Sequence, residues 1–112
     1  MAFSDISSPK TFKSAPFSIA TTGTVVSAVS GKRIKVYAYK YVADSNNMTL
    51  NWRDGTNIAL EGSQSHDKGG GAQESVEPPN FLFATTEGNS LDLVVAGGSI
   101  NGRVSYWNDD ST

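Results

Sequence analysis

Residues 32–43 read Lys-Arg-Ile-Lys-Val-Tyr-Ala-Tyr-Lys-Tyr-Val-Ala, and this run decides the fold class. Half of its positions are β-branched or aromatic, side chains that fit a pleated, half-buried surface better than a helix. Ile34, Val36, Ala38 and Val42 recur with a period of two on one face, with Lys40 as the misfit. Arg33, Lys35, Tyr37, Tyr39 and Tyr41 fall on the other face. The run predicts the longest strand of the chain.

Shorter runs of the same kind lie on both sides. Upstream, Phe17 and Ile19 alternate with Ser18 and Ala20, and Val25 to Val29 follow the Thr22-Gly23 turn. Downstream, Met48, Leu50 and Trp52 alternate with polar residues and run into Asp54-Gly55, a strong short-hairpin signal toward Ile58 and Leu60. Phe81 with Phe83, Leu91 to Val95 and Ile100 to Tyr106 complete the set, with turns at Glu87-Gly88-Asn89 and Gly97-Gly98. Eight short strands separated by turn residues, with no helical period, predict an all-β sandwich or barrel. The inward candidates are Ile19, Val25, Ile34, Val36, Leu50, Trp52, Ile58, Leu60, Phe81, Phe83, Leu91, Leu93, Val95 and Val104.

Three segments stand outside this pattern. Residues 1–14 are polar with isolated Phe3, Ile6 and Phe12, and read as an extended N-terminal arm ahead of a sandwich domain over 15–108. The arm is either a frayed end or a segment that orders against a partner. Residues 109–112 read as a polar tail, and residues 62–79 as one long loop without apolar periodicity.

Composition narrows the function classes. A length of 112 residues suits one domain. With no cysteine there is no disulfide scaffold, thiolate zinc site or cysteine nucleophile, and a single histidine makes no multi-histidine metal site. A net charge of −2 argues against a basic nucleic-acid-binding surface. No apolar run approaches the roughly 20 residues of a membrane span. The first residues lack the basic-then-apolar pattern of a signal peptide. Neither a nucleic-acid nor a membrane partner is expected. The charge is unevenly spread, +4 over residues 1–60 and −6 over residues 61–112. Interleaving of the two halves would mix it; segregation would give the molecule opposed faces.

Catalytic chemistry finds little support. Ser65, His66 and Asp67 are adjacent in sequence, whereas a triad needs the nucleophile on one ring nitrogen and the carboxylate on the other. His66, Asp67 and Lys68 are better candidates for partner contacts in an exposed loop. Gly69-Gly70-Gly71 lacks the Gly-Lys-Ser/Thr of a phosphate loop. No catalytic residue, cofactor site or metal site is expected. The aromatics leave two readings open. Tyr37, Tyr39 and Tyr41 are either a second buried layer or a strip for a protein or sugar partner. Trp107 is out of phase with the inward set of its strand and is a contact candidate.

The run Val25-Val26-Ser27-Ala28-Val29-Ser30-Gly31-Lys32-Arg33-Ile34-Lys35-Val36 resembles the opening of small β-sandwich virion proteins of tailed bacteriophages. Further likenesses follow in order: Leu50-Asn51-Trp52-Arg53-Asp54-Gly55-Thr56, Gly69-Gly70-Gly71, Pro78-Pro79 before Phe81, Thr86 to Leu93, and Asn101 to Tyr106. The likeness spans about residues 17–107. Tyr37-Ala38-Tyr39-Lys40-Tyr41 departs from a more aliphatic pattern, and the 62–79 loop is longer and more charged. The resemblance implies a jelly-roll-like sandwich without catalytic residues. It also implies a place in a phage particle, as a capsid decoration (cement) protein, a head fibre or a piece of a tail fibre; the leading expectation is a cement protein, trimeric, docked on the major capsid protein at the virion surface. A glycan- or receptor-binding module of a fibre or tail is the alternative it leaves.

Overall fold

The computed structural model describes residues 11–55 and 58–110. Phe3 and Ile6 lie outside the described residues. Ten strands make two antiparallel sheets packed as a sandwich, and no helix occurs among the described residues. Sheet A runs in the order β1 (Lys13–Ile19), β10 (Ile100–Asp110), β3 (Lys32–Ala43), β7 (Gly71–Ser75), with β8 (Phe83–Ala84) also on β3. Sheet B runs β2 (Thr22–Val26), β9 (Leu91–Ala96), β4 (Met48–Asp54), β5 (Ile58–Ala59), with β6 (Gln64–His66) also on β4. Strand β1 takes in Lys13 and Ser14, and β10 runs through Asp109 and Asp110. The strands therefore overrun both boundaries that the sequence sets for arm and tail. The expected 62–79 loop holds β6 and β7, one edge strand for each sheet.

The faces of β3 do not follow simple alternation. Ala38 pairs with Ser105, but Val36 pairs with the next residue of β10, Tyr106, so Tyr37 is an extra residue in the ladder. This β-bulge advances the pleat by one position, which moves every later side chain to the opposite face. Before it, Ile34 and Val36 are buried; after it, Tyr39, Tyr41 and Ala43 are buried. Tyr39 and Tyr41 are each 3% exposed, while Val42 is 52% exposed. The three tyrosines thus do not share a face, Ala38 and Val42 are not inward, and Lys40 is a normal outward residue. A second bulge, in β2, skips Val25 between the pairs Thr24–Asp92 and Val26–Leu91, and buries Val26 instead.

The core lies between the sheets around Trp52, whose ring contacts Phe17, Tyr39 and Phe83 at centroid distances of 5.8, 5.3 and 5.5 Å. Leu50, Leu91, Leu93, Ile100 and Val104 fill the remaining space. Their alternation in β4, β9 and β10 holds as the sequence predicts. Ile58 and Phe81 are exposed, because β5 and the approach to β8 are edge positions with little sheet behind them. The Asp54-Gly55 turn does pair β4 with β5, Asp54 opposite Ile58, and Gly55 takes the positive φ of 64° that a tight turn requires. The Asp54 carboxylate accepts from Thr86 N at 2.9 Å, Thr86 Oγ1 at 2.5 Å and Asn89 Nδ2 at 3.1 Å, pinning the turn to the β8–β9 connection. Burial pushes its carboxyl up, but these hydrogen bonds, helped by Arg33, hold it below the usual carboxylate range.

The charge split resolves in the same topology. Strand β3, rich in Lys and Arg, sits between β10 and β7, and β4 sits between β9 and the β5 and β6 strands. The basic strand β3 of the first half thus lies between β10, with Asp109, and β7, with Glu74, both from the second half, so the charges mix. Lys35 pairs with Asp109 at 2.7 Å, and Arg53 lies opposite Asp92.

Candidate docking surface

Two further groups of aromatic side chains stand out, and the bulge sets them on opposite faces of sheet A. The first is on the outer face of sheet A. Tyr37, outward like Lys35, lies 5.9 Å from Trp107 by ring centroid. Phe12, just before β1, meets Trp107 and Tyr37 edge-on, each at 5.6 Å. Phe81 meets Trp107 edge-on at 6.4 Å, and the Lys35 ammonium sits 4.8 Å over the Phe81 ring. Trp107 does point away from the central core, as its phase predicts. It is not itself a surface residue: its exposure is 0%, under Phe12 and Phe81, which remain 50% and 44% exposed. Sequence phase located Trp107, but its burial depends on Phe12 and Phe81, which lie far away along the chain.

The second group fills the gap between edge strands β6 and β7. The Tyr39 and Tyr41 rings stack at 5.8 Å. The Tyr39 hydroxyl donates to Glu74 and the Tyr41 hydroxyl to Gln64. The Tyr41 hydroxyl also lies 2.8 Å from His66 Nε2, and Gln64 Nε2 donates to Glu61 at 3.3 Å. Burial, with Glu61 and Glu74 adding to it, pushes the Tyr41 hydroxyl up to about 12. Burial and the hydrogen bond to Glu74 raise Tyr39 further above the usual tyrosine range. Burial raises the Glu61 carboxyl, and the nearby Glu74 charge adds to this. This network ties sheet A to sheet B through β7 and β6, a structural task.

His66 is therefore a half-buried partner of Tyr41 rather than a solvated loop residue. Asp67 does not orient it, because its Oδ1 accepts from Asn47 N at 3.1 Å. The Lys68 backbone donates to Asn46 Oδ1 at 3.1 Å. Asp67 and Lys68 thus dock their loop on the β3–β4 turn, with both side chains exposed. Of the contacts proposed from sequence, the structure brings together Phe12, Tyr37 and Trp107. It places Tyr39, Tyr41 and His66 in the inter-sheet network, away from that cluster. Among the described residues no group of three His, Cys, Asp or Glu side chains could hold a metal ion. No helix among them is long and apolar enough to cross a membrane.

Sheet A's outer face carries one further feature. Beyond the aromatic cluster it carries a row of small residues, Ser14, Ser105, Ala38 and Ser75, aligned across β1, β10, β3 and β7. In the next row Arg103 and Lys40 stand directly opposite each other, both exposed. Like charges in that relation repel.

Neither a protein-family model nor a curated protein matches the chain. Among solved structures it is similar to a chain from work on Bacillus endospore appendages, described as a novel family of disulfide-linked pili. The two are 16% identical with a TM-score of 0.43, over 89% of this chain and 91% of that one. That likeness carries no argument about role.

Proposed function

We propose that the chain is a structural virion protein of a tailed bacteriophage, a capsid decoration (cement) protein that performs no catalytic step. The observation that carries this reading is the aromatic cluster on the outer face of sheet A. A sandwich with a complete core has no need of a second buried tryptophan outside it, capped by two half-exposed phenylalanines. The cluster sits at the root of the N-terminal segment, where Phe12 leads into β1. Two further points support the reading. One is the sequence resemblance. The other is the strand order, β1-β10-β3-β7 facing β2-β9-β4-β5, which we interpret as a jelly-roll-like pair of interleaved Greek keys.

The mechanism is mass action. A protein that binds the assembled shell and not its dissociated subunits stabilises the shell by RT ln(1 + [L]/Kd), about 2.7 kcal/mol per site at a concentration of 100 Kd. The partner in this reading is the major capsid protein, the bound form a trimer, and the location the outside of the head. Particles stripped of the protein should release DNA at a lower temperature than complete ones, and adding it back should restore the higher temperature. Equal heat resistance of stripped and complete particles would sink the proposal. The glycan-binding alternative rests on an outward strip of three tyrosines and on an exposed Trp107, but Trp107 is 0% exposed. With Tyr39 and Tyr41 turned into the sandwich, no observation favours it.

A further inference from the structure

We propose that the outer face of sheet A is the docking surface, and that its partner is an acidic protein surface. A carboxylate of that partner lies between Lys40 and Arg103, and an apolar side chain packs on Phe12 and Phe81. The inference rests on the docking role proposed above and names the face and the chemistry that serve it.

The charge balance of the molecule carries the argument. The chain is acidic overall, with eleven Asp and Glu against nine Lys and Arg. Other cations of its sheets have acids at hand: Lys35 pairs with Asp109, Arg33 stands opposite Asp109, and Arg53 stands opposite Asp92. Lys40 and Arg103 differ: unlike Lys13, which stands opposite Tyr106, they have each other as cross-strand neighbours. They face each other across β3 and β10, and among the described residues neither makes an ion pair. Arg103 donates from Nη1 to Ser14 Oγ at 3.0 Å, which aims the guanidinium along the sheet without neutralising it.

Between the two cations lies a depression of about 110 Å³, floored by Ala38 and Ser105 and bordered by Gln73 and Ser75. Glu74 also borders it, but its carboxylate already accepts the Tyr39 hydroxyl. The space suits a carboxylate group, which a guanidinium can hold through two parallel hydrogen bonds. An acidic group there would also relieve the cross-strand repulsion. The aromatic end of the face is four residues along β10, from Arg103 to Trp107, about 13 Å at 3.3 Å per residue. A partner therefore needs a carboxylate and an apolar side chain about that far apart, the mixture of anchor and charge that fixes register at protein interfaces. Sheet B offers no equivalent, because its outer charges Arg53 and Asp92 oppose each other and Asp92 is buried.

The experiment measures rebinding of the full-length chain to particles stripped of it, as a function of salt. Three variants are compared: Lys40→Glu with Arg103→Glu, Phe81→Ser, and Thr49→Glu on the outer face of sheet B. Unchanged melting temperatures establish that each is folded. We expect the double charge reversal to weaken rebinding by at least about tenfold and to flatten its salt dependence. Phe81→Ser should weaken rebinding with the salt slope retained, and Thr49→Glu should bind as the wild type does. If the wild type rebinds and the double reversal rebinds equally well, the face is wrongly assigned while the docking role stands. If the wild type does not rebind, both fall. Binding of sialylated or sulfated oligosaccharides that is lost in the same double variant would replace the protein partner with a glycan and overturn the proposal.

Discussion

The bulge at Tyr37 makes a quantitative claim about two neighbouring residues. Simple alternation along β3 puts Val42 in the core and Tyr41 outside; the bulge puts Tyr41 in the core and Val42 outside. Substituting each by serine separates the two. Val42 is 52% exposed, so Val42→Ser should change stability by no more than about 0.5 kcal/mol. Tyr41 is 3% exposed, and a buried tyrosine removes about 150 to 250 Å² from water. At about 25 cal/mol per Å², truncation to serine forfeits roughly 3 to 5 kcal/mol, after allowing for the small side chain that remains. Losing the hydroxyl also leaves Gln64 and His66 without their shared partner. For a domain whose total stability is of order 5 to 15 kcal/mol, Tyr41→Ser removes about a fifth or more, a fall in melting temperature of roughly 12 °C or beyond. Urea unfolding followed by tryptophan fluorescence, with the m-value checked for constancy, gives both numbers. A Val42→Ser loss equal to or larger than that of Tyr41→Ser would refute the bulge.

Three further outcomes are expected. Asp54→Ala should cost about 2 to 4 kcal/mol at neutral pH, because it deletes three hydrogen bonds to a buried carboxylate. The folded-state pKa of Asp54 is lowered, so its contribution is complete above the unfolded value and is lost as pH falls through the folded one. Wild type and variant should therefore converge in acid melts. Glu61 has the opposite sign, since a raised folded pKa makes its ionised form a burden that grows as pH rises. Glu61→Gln should match the wild type at acid pH and exceed it at neutral pH in denaturant titrations. A Cβ at Gly71 would sit 1.9 Å from the Tyr41 carbonyl oxygen, whereas one at Gly62 meets nothing within 4 Å. Gly71→Ala should thus lower the melting temperature by many degrees, and Gly62→Ala by little.

The parts of the fold that were legible in the sequence share one property: both sheet faces at those positions are sampled regularly. Strands β4, β9 and β10 alternate without interruption, and Asp54-Gly55 announces its own turn. What misled was local. Nothing in Val36-Tyr37-Ala38 marks an extra residue, because a bulge is set by the partner strand, here by the Ser105–Tyr106 step. Residues 64–66 and 71–75 read as loop because short edge strands bury too little to need apolar alternation. The phase of Trp107 was visible from its own strand. That Phe12, Tyr37 and Phe81 converge on it was not, since those contacts join four distant segments. The Tyr39–Tyr41 network was equally hidden, its partners Glu61, Gln64, His66 and Glu74 lying in a segment that showed no pattern.

The place of β10 has a consequence for how the molecule is made. Among the described residues it is the last strand in chain order, yet it lies in the interior of sheet A, between β1 and β3. As the chain leaves the ribosome, β1 and β3 emerge with no direct pairing to each other, and sheet A cannot close until about residue 110 has appeared. Until then the inner face of β3, with Ile34, Val36 and its two tyrosines, has lost one flank. Closure by such distant pairing is slow, in the millisecond-to-second range for sandwiches. A nascent chain that has not yet added β10 therefore lacks an interior strand, not an edge, and a variant without β10 should lose the pairing of β1 and leave β3 bound on its β7 and β8 side alone.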